Sequence, residues 1–184
     1  MSSKTKLCRA VCCCRVVAVQ EATPFRAWNN LHWGRYYSSD IKFVNTILDY
    51  IYGPFDDRTK LLPALIVSCI NNAAEFNLTK GEQKRDYIYI DDVVSAYMKI
   101  INSNLNSCSV EIGHAKQISL KDAVLKVKQI TNSTINLNFG AVPYREEEPM
   151  DLKTNPEILT SLGWKPRYDF ETGIKKLISE EYKK

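Results

Sequence analysis

Residues 79–92 read Thr-Lys-Gly-Glu-Gln-Lys-Arg-Asp-Tyr-Ile-Tyr-Ile-Asp-Asp, and this stretch decides the fold. Gly81 lies among polar residues and indicates a loop. The aromatic and β-branched residues of 85–90 predict a short strand. Asp91 or Asp92 is expected to cap the next helix, because a short carboxylate accepts the free backbone N–H groups of a first turn. The stretch therefore predicts a loop, a strand and a capped helix in succession.

Arg85 is the first candidate for binding chemistry, because this pattern holds it at the start of a strand and near a helix dipole. Its guanidinium is a planar fork of donors that suits a phosphate better than an ammonium does. An ion pair with Asp86 or with a neighbouring loop is the structural alternative, and spacing alone leaves both open. The helix that follows is amphipathic, with an apolar face at helical spacing formed by Val93, Val94, Tyr97, Ile100 and Ile101.

The stretch 81–97 resembles the signature in the C-terminal half of extended short-chain dehydrogenase/reductases, the NAD(P)-dependent nucleotide-sugar epimerases, dehydratases and reductases. Tyr52-Gly53-Pro54 and the Leu-Gly-Trp-Lys-Pro of residues 162–166 are similar to two more of the family's landmarks, in the same order. The resemblance runs from about Ile41 to the C-terminus. It implies an α/β fold, the C-terminal part of a Rossmann-type enzyme with its small mixed α/β substrate-binding domain.

Two segments follow from this resemblance. Residues 41–184 are expected to hold the last Rossmann strand or strands and the nucleotide-sugar substrate-binding domain. Residues 1–40 form an unassigned, divergent N-terminal segment in which no period of two or 3.6 persists. Such a change predicts a truncated gene, a frameshift or a mistaken start, and a divergent N-terminal cap is the alternative.

The remaining elements alternate between strands and helices, as in a mixed α and β domain. Gly53-Pro54 ends a predicted strand over 41–52, since Pro cannot continue a ladder. Ser119 and Asp169 are predicted helix caps. The other predicted elements are helices over 60–74 and 156–163 and strands over 110–113 and 135–139.

The resemblance implies roles for several residues. Arg85 would contact the diphosphate of a nucleotide sugar, Arg145 would reach the same phosphates, and Glu148 would accept the ribose hydroxyls. Leu62 and Pro63 fall near the segment that walls the nucleotide site in the family. The alternatives are a solvated acidic patch for the Glu146–Glu148 run and plain helix packing for Leu62 and Pro63.

Weaker assignments concern residues near the cofactor and lone polar groups. Tyr52 and Pro54 are expected to make weak cofactor contacts, although Ile47 and Asp49 replace the arginine and aromatic residue that the family usually carries before them. His114, alone in a loop, is expected to be structural. Core packing is predicted for the aromatic side chains of Tyr87, Tyr89 and Tyr97.

Two motifs of the complete family are missing from the chain. A dinucleotide cradle needs glycines two and five residues apart, whereas here the closest glycines, Gly163 and Gly173, lie ten residues apart. The family's acid/base pair is a tyrosine four residues before a lysine, and no tyrosine of the chain has this spacing. No catalytic residue is therefore assigned.

Two functions remain open on these grounds. The first is the substrate-binding portion of an NAD(P)-dependent nucleotide-sugar epimerase, dehydratase or reductase, inactive alone, whose NAD or NADP belongs to the full-length protein. The second is a non-catalytic nucleotide-sugar binding module or an interaction domain. Either would take a nucleotide diphosphate sugar as its partner, and a homodimer is left open.

Composition excludes several other classes. The net charge is +4, with basic residues scattered rather than gathered in a nucleic-acid stripe. No apolar run reaches the length of a membrane span. Four of the six cysteines, Cys8 and residues 12–14, crowd the start without metal-ligand spacing. Because the start does not read as an export signal, we expect a cytoplasmic protein with reduced thiols and no metal site.

Overall fold

The computed structural model of this chain describes residues 15–21, 42–106 and 108–182. In this part the chain alternates strands and helices, as the sequence pattern predicts. The strands are β1 (Arg15–Glu21), β2 (Lys42–Leu48), β3 (Tyr50–Tyr52), β4 (Glu75–Leu78), β5 (Lys84–Arg85), β6 (Tyr87–Tyr89), β7 (Cys108–Ile112), β8 (Ile118–Ser119) and β9 (Asn136–Phe139). The helices are α1 (Leu61–Ile70), α2 (Ile90–Ile101), α3 (Leu120–Ile130), α4 (Glu157–Ser161) and α5 (Phe170–Leu177), followed by a π-helical turn (Ile178–Tyr182).

The main sheet is parallel and has the order β1-β2-β7. Val16 lies opposite Phe43 across β1 and β2, and Val44 lies opposite Cys108 across β2 and β7. The Val16–Val19 run, which sequence analysis leaves without an element, lies inside β1. Val44, Leu48 and the inner residues of β7 are buried, as expected for strands covered by helices.

The predicted strand over 41–52 is two strands rather than one. β2 ends at Leu48 in the main sheet, and β3 begins at Tyr50 and pairs in parallel with β6, where Tyr50 lies opposite Tyr87. Asp49 separates them. Apolar residues continue from β2 into β3, although Tyr50 is exposed and only Tyr52 of β3 is buried, so the hydrophobic pattern carries no mark of the change of partner.

The predicted strand over 85–90 is also divided. β5 ends at Arg85 and pairs antiparallel with β8, where Arg85 lies opposite Ile118. β6 covers only 87–89, and Ile90 already begins α2. The interruption falls at Asp86, which is fully buried. Asp86 does not continue the strand, and its carboxylate accepts hydrogen bonds from another part of the chain. A further parallel pair, β4 with β9, lies beside these strands.

Two predicted helix caps are confirmed and one is wrong. The Ser119 hydroxyl accepts the N–H of Asp122 at 3.0 Å, and the Asp169 carboxylate accepts that of Thr172 at 2.8 Å. In contrast, Tyr89 precedes α2 and no side chain caps it. The Asp92 carboxylate instead accepts the backbone N–H groups of residues 167 and 168, at 2.9 Å each, so it joins α2 to the segment before α5.

The buried apolar residues form two clusters on opposite faces of β6, because Tyr87 and Tyr89 belong to the first and Ile88 to the second. The first includes Leu65 and Ile66 of α1, Val124 of α3 and the aromatic rings of β3 and β6. The second lies against the main sheet and includes Val44, Ile88, Ile100, Ile112 and Trp164. Within the described ranges, none of the helices combines the length and hydropathy needed to cross a lipid bilayer.

Candidate functional site

Among the described residues, Arg85 has the largest fully buried side chain, with 1% of its surface exposed. One terminal nitrogen of its guanidinium donates to the Lys84 carbonyl at 2.8 Å, and the other donates to Glu148 Oε1 at 2.6 Å. The guanidinium carbon lies 5.1 Å from the ring centre of Tyr50, within cation–π range. A guanidinium has more N–H donors than these two bonds use. Arg85 is therefore a fixed, positively charged donor with capacity for another acceptor.

Backbone pairing explains how Glu148 reaches Arg85 across 63 residues. The N–H of Lys84 donates to the Met150 carbonyl at 2.8 Å, and the Lys84 carbonyl accepts the N–H of Leu152 at 3.3 Å. These bonds lay residues 150–152 along β5. The chain therefore enters this edge directly after Glu148, which places its carboxylate beside Arg85.

A tight turn links Arg145 to Glu148. The N–H of Glu148 donates to the Arg145 carbonyl at 3.1 Å, and Glu147 has a left-handed backbone with φ of 60°. Arg145 is exposed, whereas Glu148 is half-buried. The structure thus brings Arg85 and Glu148 into contact and puts Arg145 on the same turn as Glu148, with its side chain open to solvent. Their contacts with a nucleotide stay predictions.

Asp86 has a structural task that sequence analysis missed. Its carboxylate accepts the N–H of Ala115 at 2.8 Å and that of His114 at 3.0 Å, and it also accepts the Thr154 hydroxyl. It is wholly buried. Of the two ion-pair alternatives for Arg85, the structure therefore contains the pair with a neighbouring loop and not one with Asp86. The Arg-Asp dipeptide alone carries no signal that its two charges face different partners.

The other predicted binding residues lie largely in the core. Leu62 and Pro63 are buried in the first turn of α1, where Leu62 belongs to the first apolar cluster. Tyr52 is 3% exposed, with its ring against Tyr87 and Phe170, and burial raises the pKa of its phenol. Pro54 is half-buried in the turn after β3. Wall contacts to a nucleotide and weak cofactor contacts stay predictions for these residues.

The described glycines do not form a dinucleotide cradle. A Cβ added at Gly53 would come within 2.5 Å of the Ile90 side chain, one at Gly113 within 2.0 Å of Thr154, and one at Gly173 within 2.0 Å of the Tyr52 hydroxyl. These glycines make room for protein side chains. The described residues therefore do not fit the pyrophosphate of NAD(P) in the manner of the fingerprint.

Metal-binding groups are similarly absent from the described ranges, where no cluster of His, Cys, Asp and Glu side chains has the arrangement to hold an ion. Two cysteines in those ranges, Cys69 and Cys108, are free thiols, and burial raises the pKa of both. Thiols with a raised pKa are poor nucleophiles and ligands. The remaining cysteines lie outside the described residues.

Comparisons with known proteins bear on the family of the chain. The sequence model of the "NAD dependent epimerase/dehydratase family" matches residues 27–113. A CDP-abequose synthase of Salmonella muenchen is 41% identical over 142 residues, which cover 76% of this chain and 48% of that protein. A second CDP-abequose synthase, from Salmonella typhimurium, is 36% identical over 79% of this chain and 51% of its own length. The chain thus spans about half the length of these curated relatives.

Solved structures share the fold at lower identity. A UDP-N-acetylglucosamine 4-epimerase from Methanobrevibacter ruminantium superposes with a TM-score of 0.77 at 16% identity, covering 90% of this chain and 62% of that one. A UDP-glucose 4-epimerase from Thermotoga maritima superposes with a TM-score of 0.69 at 22% identity, covering 76% and 45% respectively. The α/β fold of the C-terminal part of a Rossmann-type epimerase or dehydratase is therefore confirmed.

Proposed function

Because the chain belongs to the NAD-dependent epimerase/dehydratase family, we propose that it is the part of such an enzyme that binds a nucleotide sugar. The observation that carries this proposal is the contact between buried Arg85 and Glu148, with Arg145 on the same turn. A diphosphate needs fixed cationic donors, and ribose hydroxyls suit a carboxylate acceptor. Arg85 and Arg145 would supply the donors and Glu148 the acceptor.

The mechanism of binding follows from the ion pair. In this structure Glu148 occupies one edge of the Arg85 guanidinium. A phosphate oxygen would take over that edge, and Glu148, 20% exposed and on a turn, would rotate toward the ribose. Arg145 would then close over the phosphates from the solvent side. Arg85 itself needs no reorientation, because its other bond, to the Lys84 carbonyl, and the Tyr50 ring hold it.

We further propose that the nucleotide is a cytidine diphosphate sugar. The support is that the two Salmonella CDP-abequose synthases are 41% and 36% identical to this chain; a third, from Yersinia pseudotuberculosis, is 30% identical over 62% of it, and a mouse dTDP-D-glucose 4,6-dehydratase is 29% identical over 83%. In the complete protein the remaining half would supply NAD(P) and the proton-transfer groups. Incubation of this chain with NAD(P) and CDP-glucose is accordingly expected to form no NAD(P)H.

Calorimetric titration of the full chain with CDP-glucose, dTDP-glucose and UDP-glucose tests the proposal. CDP-glucose should bind most tightly, and Arg145→Gln should weaken it about tenfold or more, the worth of one charge-assisted hydrogen bond. Arg85→Lys keeps the charge but loses the fork, so it should weaken binding similarly. Arg167→Gln removes an equal charge from an exposed side chain elsewhere and should have no effect. A folded chain that binds none of the three compounds rules the proposal out.

A second candidate, an interaction domain, has one observation in its favour. Four apolar side chains of α2 are at least one-third exposed and recur at helical spacing: Ile90, Val94, Met98 and Ile101. We propose a homodimer through this stripe as the alternative, in a cytoplasmic protein. Sedimentation of wild type and Met98→Glu separates the two, since a stripe dimer would dissociate on substitution while nucleotide binding would persist.

A further inference from the structure

Residues 143–149 form a strap that passes β5, and backbone hydrogen bonds fix the chain at both of its ends. Before the strap, the N–H groups of Gly140 and Val142 both donate to the Leu78 carbonyl at 3.0 Å. After it, residues 150–152 lie along β5. Five of the seven strap residues are exposed, and the other two are half-buried. The position of the middle of the strap therefore depends on what those two residues contact.

The two half-buried residues, Tyr144 and Glu148, attach the strap to the protein through their side chains. Glu148 pairs with Arg85. The Tyr144 hydroxyl accepts the N–H of Glu82 at 3.2 Å and donates to Oε2 of the same residue at 3.1 Å. Within the described part of the chain, no other strap residue forms a side-chain hydrogen bond. The strap thus has two attachments, one on each side of Arg145.

Glu82 is a firm anchor, because the residues on either side of it are tied to α3. The Gly81 carbonyl accepts the N–H of Lys121 at 2.9 Å, and the Gln83 carbonyl accepts that of Leu120, also at 2.9 Å. Both flanking residues are buried. The tyrosine hydroxyl therefore joins the strap to a backbone that is already fixed.

The two attachments respond differently to a ligand. Under the proposed function, on which this inference rests, a phosphate takes the edge of Arg85 that Glu148 now occupies. The strap then keeps only its attachment to Glu82. Tyr144 directly precedes Arg145, and the Cα atoms of consecutive residues lie about 3.8 Å apart. A fixed Tyr144 therefore keeps the Arg145 backbone beside the site when the other attachment is released.

We propose that Tyr144 is the residue that positions Arg145 for the phosphates of the nucleotide, with Glu82 as its partner. A segment that is mobile in the free protein must be ordered when the ligand binds, and this ordering reduces affinity. Tyr144 holds that segment in place beforehand. It contacts Glu82 rather than the ligand, so its contribution to binding depends on the Arg145 side chain.

Calorimetric titration of the full chain with CDP-glucose tests this dependence through a double-mutant cycle. Tyr144→Phe removes the hydroxyl and should weaken binding about fivefold, the effect of ordering one more residue. Added to Arg145→Gln, it should weaken binding by less than about twofold further, because the side chain that it positions is gone. Glu82→Gln keeps an oxygen acceptor for the hydroxyl and should bind like wild type.

Tyr97→Phe is the matched control, since it removes a tyrosine hydroxyl that bonds Thr46 at 3.0 Å, outside the strap. It should lower the urea midpoint but leave the affinity for CDP-glucose unchanged. Tyr144→Phe should do the reverse, because its hydroxyl forms exposed hydrogen bonds. This crossed pattern separates positioning from a general loss of stability.

Amide hydrogen exchange followed by NMR reports on the strap without any ligand. The N–H of Glu148 donates to the Arg145 carbonyl inside the strap. Its exchange should quicken several-fold in Tyr144→Phe, because the strap opens more often, and should stay unchanged in Tyr97→Phe.

Three outcomes would overturn the proposal: Tyr144→Phe leaves the affinity unchanged, it weakens the Arg145→Gln variant as strongly as it weakens wild type, or it leaves the exchange of the Glu148 N–H unchanged. In each of them nucleotide binding itself stands as long as Arg145→Gln weakens it. If no nucleotide binds, or if Arg145→Gln changes nothing, the positioning role falls together with the assignment of Arg145.

Discussion

At the scale of single residues, the aspartates of the Arg-Asp-Tyr-Ile-Tyr-Ile-Asp-Asp stretch organise more of the structure than their charge suggests. Asp86 holds the loop after β7 and the segment before α4, and Asp92 holds the segment before α5. Each is buried and each accepts backbone N–H groups that no secondary structure would satisfy. The two aspartates stabilise the fold through those donors, because removal of either carboxylate would leave buried N–H groups unpaired.

Asp86→Ala is expected to lower the free energy of unfolding by about 3 kcal/mol or more, since it strands two backbone donors and one hydroxyl in a buried region. Urea unfolding followed by circular dichroism measures this loss. Asp57→Ala, which removes an exposed carboxylate that bonds only its own turn, should cost far less. Equal losses for the two variants would contradict the role assigned to Asp86.

The carboxylate of Asp169 predicts how the stability of the protein depends on pH. Its pKa is lowered, first by the N–H of Thr172 and then by the hydroxyl of the same residue. An unfolded aspartate titrates near pH 3.9, so the stabilisation is complete above about pH 4 and is lost as the pH falls through the lower folded value. Asp169→Asn keeps a cap but cannot titrate. The stability difference between wild type and this variant should therefore shrink in acid, and a pH-independent difference would refute the assignment.

The candidate site was predictable in its residue types but not in its pairing. Resemblance to the family predicted Arg85 as a phosphate donor and Glu148 as a hydroxyl acceptor, and these roles stay predictions, whereas the contact between the two depends on residues 150–152 running along β5. No local pattern encodes this pairing.

At the scale of elements, apolar periodicity located the helices well and their buried faces less well. On α2 the structure buries Val93, Ala96 and Ile100 but leaves Val94 and Ile101 exposed. The predicted apolar arc was therefore wider than the face that packs. Periodicity reports which residues are apolar, whereas burial depends on what the rest of the chain places against the helix.

At Gly173 in α5, helix propensity favours a larger residue, whereas packing requires glycine. Alanine is favoured over glycine by about 1 kcal/mol inside a helix, but a Cβ here would lie 2.0 Å from the Tyr52 hydroxyl oxygen and 2.9 Å from Cζ. Tyr52 cannot yield, because rings of β6 and α5 surround it. Gly173→Ala should therefore destabilise the protein by about 2 kcal/mol, measured by urea unfolding.

The double variant Gly173→Ala with Tyr52→Phe separates the two effects. Loss of the hydroxyl removes the nearest obstacle, so the double variant should recover part of the stability lost by Gly173→Ala. Tyr52→Phe alone should cost little, because the hydroxyl makes a single 3.4 Å contact with the Phe170 carbonyl. If Gly173→Ala proves stabilising, packing against Tyr52 is not the reason for this glycine.

At the scale of the whole molecule, the helices and several strands were predictable in order, whereas β1, β4 and β8 were missed and the strand partners could not be predicted. Neighbours in sequence join different sheets, β2 with β1 and β7 but β3 with β6. Parallel pairing is non-local, so its register is set by packing on both faces rather than by turns. The C-terminal residues are a further non-local feature, because the π-helical turn returns to β6 and to the turn before α1.

Removal of residues 178–184 is expected to destabilise the entire described fold. Glu180 accepts the hydroxyl of buried Tyr89 at 2.7 Å, and Glu181 accepts the N–H of Phe55 at 2.8 Å and pairs with Arg58. Without them the Tyr89 hydroxyl loses its carboxylate acceptor, and the partly buried Ile178 and Tyr182 no longer cover the first core cluster. The loss should be about 2 kcal/mol or more.

Urea unfolding of the truncated chain measures this loss, and Lys175→Ala, which breaks only an exposed ion pair with Glu171, should leave the urea midpoint close to that of wild type. Glu180→Gln in the full-length chain keeps an acceptor for the Tyr89 hydroxyl, so its urea midpoint should stay much closer to that of wild type than to that of the truncated chain. Because these contacts reach β6, the strand next to Arg85, the truncated chain should also bind CDP-glucose more weakly. Unchanged stability after truncation would mean that β6 and the Arg85–Glu148 pair hold their geometry without the C-terminal turn.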